Sequence, residues 1–277
     1  AAKMLGNNQP NITRCMNILE QELKCTLFLR SNRGISLTPE GKKLYEHVAI
    51  AYEQLQIGEE EIRQNGELEN GLVSIGASEN ALRLVLLSRL EKFHEQYPHV
   101  RLRISNHSTP QAIQALRSDI VDFAAVTTPL DIKSPLEKIP LASYREILIG
   151  GRKYKKLAEH TQKLEDIASL PFISLDENSS TRELYTQYFM RHNLPFSPDM
   201  EVATTDQIFP MVQHNLGIGF FPEELAAEHI AQGKIVQIPI EEPLPERKIC
   251  LIRNVKRPQS IAARSLEEHL TSHRETE

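Results

Sequence analysis

Residues 8–41, NQPNITRCMNILEQELKCTLFLRSNRGISLTPEG, decide how the rest of the chain is read. Asn7-Asn8-Gln9-Pro10 is a turn running into a helix start. Asn8 suits the N-cap, and Pro10 suits the first turn, where its missing N–H is not needed. Ile12, Met16, Leu19 and Leu23 follow at spacings of four, three and four, one apolar face of an amphipathic helix. Gln9, Thr13, Arg14 and Asn17 fall on the opposite face. Glutamine matches the edge of adenine, and arginine matches guanine or a phosphate. That face therefore suits nucleic acid, although a water-solvated face would carry the same residues. Residues 27–30 and 35–38 are strand-like runs around Ser31-Asn32-Arg33-Gly34, a hairpin with arginines near its tip. Helix, turn, helix and basic hairpin make a winged helix-turn-helix.

Charge bears on this reading. A net −5 over 277 residues argues, as an average, against a partner of the same sign. Residues 1–45, however, hold seven basic residues and three acidic ones, a net +4 that leaves −9 for the remainder. Such segregation points one end of the chain at a polyanion. With 40% apolar and 25% charged residues the chain can bury a sizeable core, which excludes a disordered or low-complexity protein. No apolar run approaches the ~20 residues that span a bilayer. At roughly 150 residues per domain, the length allows two. Cys15, Cys25 and Cys250 form no C-x-x-C pair, so neither a disulfide framework nor a usual zinc site is expected, and reduced thiols in a cytoplasmic protein are. The first residues, AAKML, carry no signal-peptide pattern and read as the middle of a helix, so a preceding segment is expected.

Thr38-Pro39 is a second helix start, and the pattern runs to about residue 65. Leu44, Val48, Ala51, Leu55, Gly58 and Ile62 form an a/d seam, weakened at Gly58, that suits pairing with a second copy. Packing on its own domain is the alternative. Residues 66–71 read as a hinge. Beyond it, strand-like runs at 72–77, 100–105, 121–127, 147–150, 171–175, 200–203, 218–221 and 248–253 alternate with helical patterns. That rhythm predicts βαβ units and a mostly parallel sheet. There is no G-x-S-x-G, H-E-x-x-H, P-loop or G-x-G-x-x-G after a strand, and the ten histidines are scattered, so an enzyme is disfavoured. What recurs is a strand end followed by hydroxyl residues: Ser78, Ser108-Thr109, Thr127-Thr128, Ser179-Ser180-Thr181 and Thr204-Thr205. Each alone reads as a helix cap. Together they matter, because strand C-termini converge on the ligand crevice and helix starts there bind anions. A small carboxylate-bearing guest is expected.

The motifs Ala1-Ala2-x-x-Leu5, Asn8-Gln9-Pro10-x-Ile12-Thr13-Arg14, Leu19-Glu20-x-Glu22-Leu23, Leu27-Phe28-x-Arg30 and Leu37-Thr38-x-x-Gly41 closely resemble the N-terminal domain of LysR-type transcriptional regulators. The resemblance implies that Ala1 lies within the first helix of the helix-turn-helix. It places Asn8, Gln9, Pro10, Thr13, Arg14 and Asn17 at the DNA, with Arg30 and Arg33 in the wing. Asn8 stands where the family usually has Ser or Thr, and Lys24-Cys25 where a glycine-containing turn is common.

Gly76-Ala77-Ser78, Ala115-Leu116-x-x-Asp119-x-x-Asp122 and Gly217-Ile218-Gly219-Phe220-Phe221-Pro222 resemble, more diffusely, the effector domain of the same family. The implied fold class is mixed. A winged helix-turn-helix occupies 1–38, a linker or dimerisation helix 39–66, and an α/β two-lobed, periplasmic-binding-protein-like (type 2) effector domain 67–277. Lobe I would comprise 71–145 and 249–277, and lobe II 146–248. Effector contacts are expected at Ser78, Thr109, Thr127, Asn178, Ser179 and Ser180, with Thr204 and Phe220 as further candidates. The expected activity is transcriptional regulation without enzymatic turnover or a cofactor. The expected partners are double-stranded operator DNA, a small and anionic effector of unknown identity, a homodimer or homotetramer, and RNA polymerase as a further candidate. The competing reading is a transport-type solute-binding protein of the same two-lobed fold, which leaves the basic winged motif unexplained.

Overall fold

A computed structural model describes residues 9–31, 34–63 and 71–272. The chain divides into two compact units, Ala1–Asn65 and Gly66–Glu277. The linker helix thus clusters with the head and does not stand apart as a third unit.

In the first unit, α1 (Gln9–Leu23) is followed by the antiparallel wing strands β1 (Phe28–Ser31) and β2 (Gly34–Leu37), and then by α2 (Pro39–Arg63). Ile12, Met16 and Leu19 are half-buried along α1, whereas Leu23, expected on the same face, is exposed. The helix stops at Lys24, whose φ of +53° is left-handed. Cys25 N–H bonds back to Glu20 O and Lys24 N–H to Gln21 O, both at 3.2 Å. This is the double closure usually built around glycine, so the Lys24-Cys25 departure keeps the turn and loads it onto a side-chain-bearing residue. Glu20 then ties the helix to the wing, its Oε1 accepting from Leu27 N at 2.7 Å and Phe28 N at 3.0 Å. Thr38 closes the other end of the wing. Its Oγ1 accepts from Gly41 N at 2.9 Å, capping α2, and donates to Thr26 O at 2.8 Å. Leu27, 2% exposed, is buried between these ties.

The second unit runs β3 (Leu72–Ala77), α3 (Glu79–Ala81), a π-helical turn (Leu82–Leu86), α4 (Leu87–Gln96), β4 (Arg101–Asn106), α5 (Thr109–Arg117), β5 (Phe123–Thr127) and β6 (Leu136–Tyr144). It crosses to β7 (Glu146–Gly150), a 3-10 helix (Arg152–Glu159), α6 (Leu164–Ile167), β8 (Ile173–Leu175), α7 (Ser180–Arg191), β9 (Met200–Val202), a 3-10 turn (Thr205–Gln207) and α8 (Ile208–Gln213). The chain continues through β10 (Ile218–Pro222), α9 (Glu223–Ala231) and β11 (Val236–Ile238). It returns as β12 (Arg247–Asn254) and closes with α10 (Ile261–Ser272). The first lobe is a five-stranded sheet ordered β4-β3-β5-β12-β6. Period-two alternation builds a core on each of its faces. Phe123, Ala125, Ile249 and Leu251 face the layer of Phe93, Leu266 and Leu270, while Ala124, Val126, Cys250 and Ile252 face Ala112 and Leu116. The second lobe centres on β7, flanked by β10 and β11, with β8 and β9 as a separate pair.

Two expectations are corrected here. The sheets are mixed rather than mostly parallel: β3 runs parallel to β4 and β5, but β12 is antiparallel to both neighbours, and so are β10 and β11 to β7. The strand β6 went unread, because Pro140 and its charged outward residues resemble a loop. Pro140 is tolerated because β6 is an edge strand, and the β12 register shifts beside it, between Ile249 and Cys250.

Candidate functional site

On α1, Pro10, Arg14 and Asn17 are exposed and Thr13 is half-buried. Together with Ile18 and Gln21 these four line one open, shallow depression. Ile18 and Gln21 escaped the sequence reading, although each continues the same stripe one helical turn on. Asn8 and Arg33 lie outside the described residues, as do the side chains of Gln9 and Arg30.

In the second unit the strand ends meet. Ser78, Thr109, Thr127, Ser179 and Thr204 line a single cleft between the lobes, with a cavity of about 40 Å³. Four are placed by strand-to-helix junctions, and Thr127 ends β5 ahead of the loop to β6. Ser78 follows β3 and accepts from Ala81 N at 3.4 Å. Thr109 opens α5 and donates to Thr127 O, at the end of β5, at 3.4 Å. Ser179 caps α7, accepting from Thr181 N at 3.2 Å. Thr204 caps the 3-10 turn before α8, with Gln207 Oε1 accepting from its N–H at 3.2 Å. Asn178 and Ser180 do not line the cleft, although they flank Ser179. Asn178 is turned into an exposed turn, its N–H bonded to Asp176 Oδ1 at 2.9 Å. Phe220, a further candidate, is corrected: it is 1% exposed and its ring packs 4.9 Å from Tyr185, inside the second lobe. Alternation along β10 puts its side chain into the core.

Glu79, Asn80, Asn106 and His107, which the sequence does not single out, also reach the cleft, as does Thr181 of the Ser179-Ser180-Thr181 run. Burial pushes the Glu79 carboxyl upward, and nearby Asp206 adds to this. Burial pulls His107 downward, which favours the neutral ring at pH 7. Among the described residues no Lys or Arg lines the cavity. Directly behind it, Arg247 is 2% exposed and bonded from both lobes. Its Nη1 donates to Glu146 Oε1 at 2.7 Å, and its Nη2 to Thr127 Oγ1 at 2.8 Å and Thr181 Oγ1 at 2.9 Å. Its Nε donates to Thr128 O at 2.6 Å. Tyr185 donates to the other Glu146 oxygen at 3.0 Å, and the guanidinium lies 5.4 Å from the Tyr144 ring centre. Burial pulls the Arg247 guanidinium downward, but Glu146, followed by Tyr144 and Tyr185, outweighs it, so the group lies above the ordinary arginine value. The expected lobe II bound at 248 lies two residues inside β12, so Arg247 belongs to the first-lobe sheet. A basic pair, Arg247-Lys248, ahead of the apolar run Ile249-Cys250-Leu251-Ile252 is the available signal.

The family profile described as "LysR substrate binding domain" matches residues 66–275. That described as "Bacterial regulatory helix-turn-helix protein, lysR family" matches residues 1–42. The chain is 28% identical over 280 residues to the "Probable RuBisCO transcriptional regulator" of Trichormus variabilis, covering 98% of this chain and 82% of that protein. Among solved structures it is similar to CbnR, a LysR family transcriptional regulator, with a TM-score of 0.71 at 18% identity over 99% of this chain and 93% of that one. It is also similar to the regulatory domain of CcmR from Synechocystis PCC6803, in complex with 2-PG. There the TM-score is 0.66 at 15% identity, covering 74% of this chain and 98% of that one.

Proposed function

The chain belongs to the LysR family of transcriptional regulators, and on that premise we propose how its two units divide the work. The head binds operator DNA through the exposed stripe of α1. Pro10, Thr13, Arg14 and Asn17 face the major groove in this reading, and the family resemblance adds Asn8, Gln9 and the wing residues Arg30 and Arg33 to the DNA contacts. The second unit binds a small anionic effector through Ser78, Thr109, Thr127, Ser179 and Thr204. The convergence of five hydroxyls from both lobes on one cleft carries this reading. A cleft between lobes suits a regulator, because a guest gripped by both lobes favours one lobe arrangement over another. That differential affinity is what moves an equilibrium. The CcmR regulatory domain, of the same fold, holds a small molecule, which supports the assignment. No helix among the described residues is long and apolar enough to cross a membrane, and the protein is proposed to act in the cytoplasm.

The test is DNA binding by the full chain, using operator sequences that the wild type selects from a random pool. Arg14→Ala should weaken binding by ~1–3 kcal/mol and relax sequence preference at one position if Arg14 reads a base. Fluorescence anisotropy across a salt series measures this. Unchanged affinity and salt slope would remove Arg14 from the recognition surface.

We also propose a dimer through α2. Tyr45, Val48, Tyr52 and Leu55 are 61%, 52%, 60% and 69% exposed. Their spacings of three, four and three put them on one side of the helix, an apolar seam of coiled-coil period. Of the expected seam, Val48, Ala51 and Leu55 are exposed and Leu44 is half-buried, while the side chain of Ile62, like the surroundings of Gly58, lies outside the described residues. A second copy is the occupant that DNA recognition favours, since two heads read a longer site than one. Leu55→Glu places like charges opposite each other across that seam. Sedimentation velocity should then show a shift toward monomer, and an undiminished dimer would exclude α2 as the interface.

A further inference from the structure

The hydroxyls around the cleft are committed on one side. Ser78 Oγ accepts from Ala81 N at 3.4 Å, Ser179 Oγ from Thr181 N at 3.2 Å, and Thr181 Oγ1 from Arg247 Nη2 at 2.9 Å. A hydroxyl whose oxygen is engaged in this way keeps its proton for another partner, so all three present donors to a guest. Arg247 strengthens the Thr181 hydroxyl as a donor by polarising it from behind, while Glu146 at 2.7 Å cancels its net charge. Helices α5 and α7, of nine and twelve residues, bring their N-termini to the cleft from opposite lobes, with the N-caps Ser108 and Ser179 in its lining. This side of the cleft is made for one oxyanion.

Asn80 is made for the opposite chemistry. It is 4% exposed and lines the same cleft. Its Nδ2 donates to Tyr144 OH at 3.5 Å, while its Oδ1 is buried with no hydrogen-bond partner. An unsatisfied buried acceptor is costly, so a guest that brings a donor to it is favoured over one that does not. Glu79, adjacent in sequence, adds a carboxylate that accepts from Asn106 Nδ2 at 3.2 Å. With no cationic side chain among the described lining residues, a second negative charge on the guest has no counterpart there. The cavity of about 40 Å³ also restricts the guest to a few heavy atoms unless the lobes part.

Taking the cleft as the effector site, we infer that it selects a compact monocarboxylate bearing a hydrogen-bond donor, hydroxyl or ammonium, close to the carboxylate. The carboxylate sits on the Ser78, Ser179 and Thr181 hydroxyls, and the donor sits on Asn80 Oδ1. Asn80 is thereby the specificity-determining residue.

Calorimetry on the full chain tests this with four probes. L-lactate and L-serine carry the donor, propionate lacks it, and succinate replaces it with a second carboxylate. Lactate or serine should bind at least about tenfold more tightly than propionate, because only they satisfy the buried acceptor. Succinate should not exceed propionate. Glu79→Gln separates the two donors: it should weaken serine if the natural donor is an ammonium and leave lactate unchanged. In Asn80→Leu the preference over propionate should vanish, and Asn80→Ala repeats the comparison should the leucine variant fail to fold. Equal affinity for lactate, serine and propionate in the wild type overturns the inference. So does a preference for succinate, a preference that survives at Asn80, or no binding of any probe. The effector reading fails on a different result, namely a ligand bound in the cleft that leaves DNA affinity unchanged.

Discussion

Glu146→Ala should destabilise the second unit by about 3–5 kcal/mol, the largest effect expected of any single change in it. The physical reason lies in Arg247, which is 2% exposed with Glu146 as its counter-charge at 2.7 Å. The neutral partners Thr127, Thr181 and Thr128 O satisfy N–H groups but not the charge. Removing the carboxylate leaves a guanidinium stranded in the interior and also strips the Tyr185 hydroxyl of its acceptor. The pair itself is worth less than its rupture, since desolvation offsets much of the Coulomb attraction. Replacing both members together, as Glu146→Leu with Arg247→Met, should therefore cost much less than Glu146→Ala alone. Urea unfolding of the full chain, followed by far-UV circular dichroism, measures both. A single variant within 1 kcal/mol of wild type would show that the pair does not hold the second unit together. The network also joins stability to ligand capture. Thr127 and Thr181 line the cleft while accepting from Arg247, so the double variant should fold yet respond weakly to effector.

Gly41→Ala is the second large effect, and its sign is the informative part. Gly41 is the third residue of α2, where alanine should stabilise a helix by roughly 1 kcal/mol. The added methyl would instead lie 2.2 Å from Leu27 O and 3.2 Å from Thr38 Oγ1. The first of these is a backbone atom that cannot swing aside. Leu27 O also accepts from Thr38 N at 3.0 Å, so moving it breaks the join between wing and helix. A net destabilisation of ~1–3 kcal/mol follows from overpacking, together with loss of DNA binding as the wing shifts. Thermal unfolding and operator titration read the two effects. A variant as stable as wild type, or more so, would mean that the strand end yields freely. Family resemblance marks Gly41 through the spacing Leu37-Thr38-x-x-Gly41, and the contact with Leu27 supplies the cause.

The head was legible because its signals are local. A cap and an apolar period set α1, Thr38-Pro39 opens α2, and two short β-rich runs make the wing, each within a few residues of its determinant. The hydroxyls at strand ends were legible for the same reason: strand-to-helix junctions select them as caps. Which of them meet was not, because side-chain direction follows register and burial. Ser179 lines the cleft while its neighbours Asn178 and Ser180 do not, and Phe220 points into a core from a strand whose every residue is buried.

By itself, then, the sequence determined the class of protein, the order of its elements and the residue types at the two sites. Only the tertiary structure decided the mixed sheets, the edge strand β6, and the pairing of Arg247 with Glu146 across 101 positions of chain. It also decided that Asn80 is left with an unsatisfied oxygen at the cleft. The division has a physical basis. Caps and periodicity act over one or two helical turns, whereas charge burial and acceptor satisfaction depend on what distant segments bring to the same few ångströms.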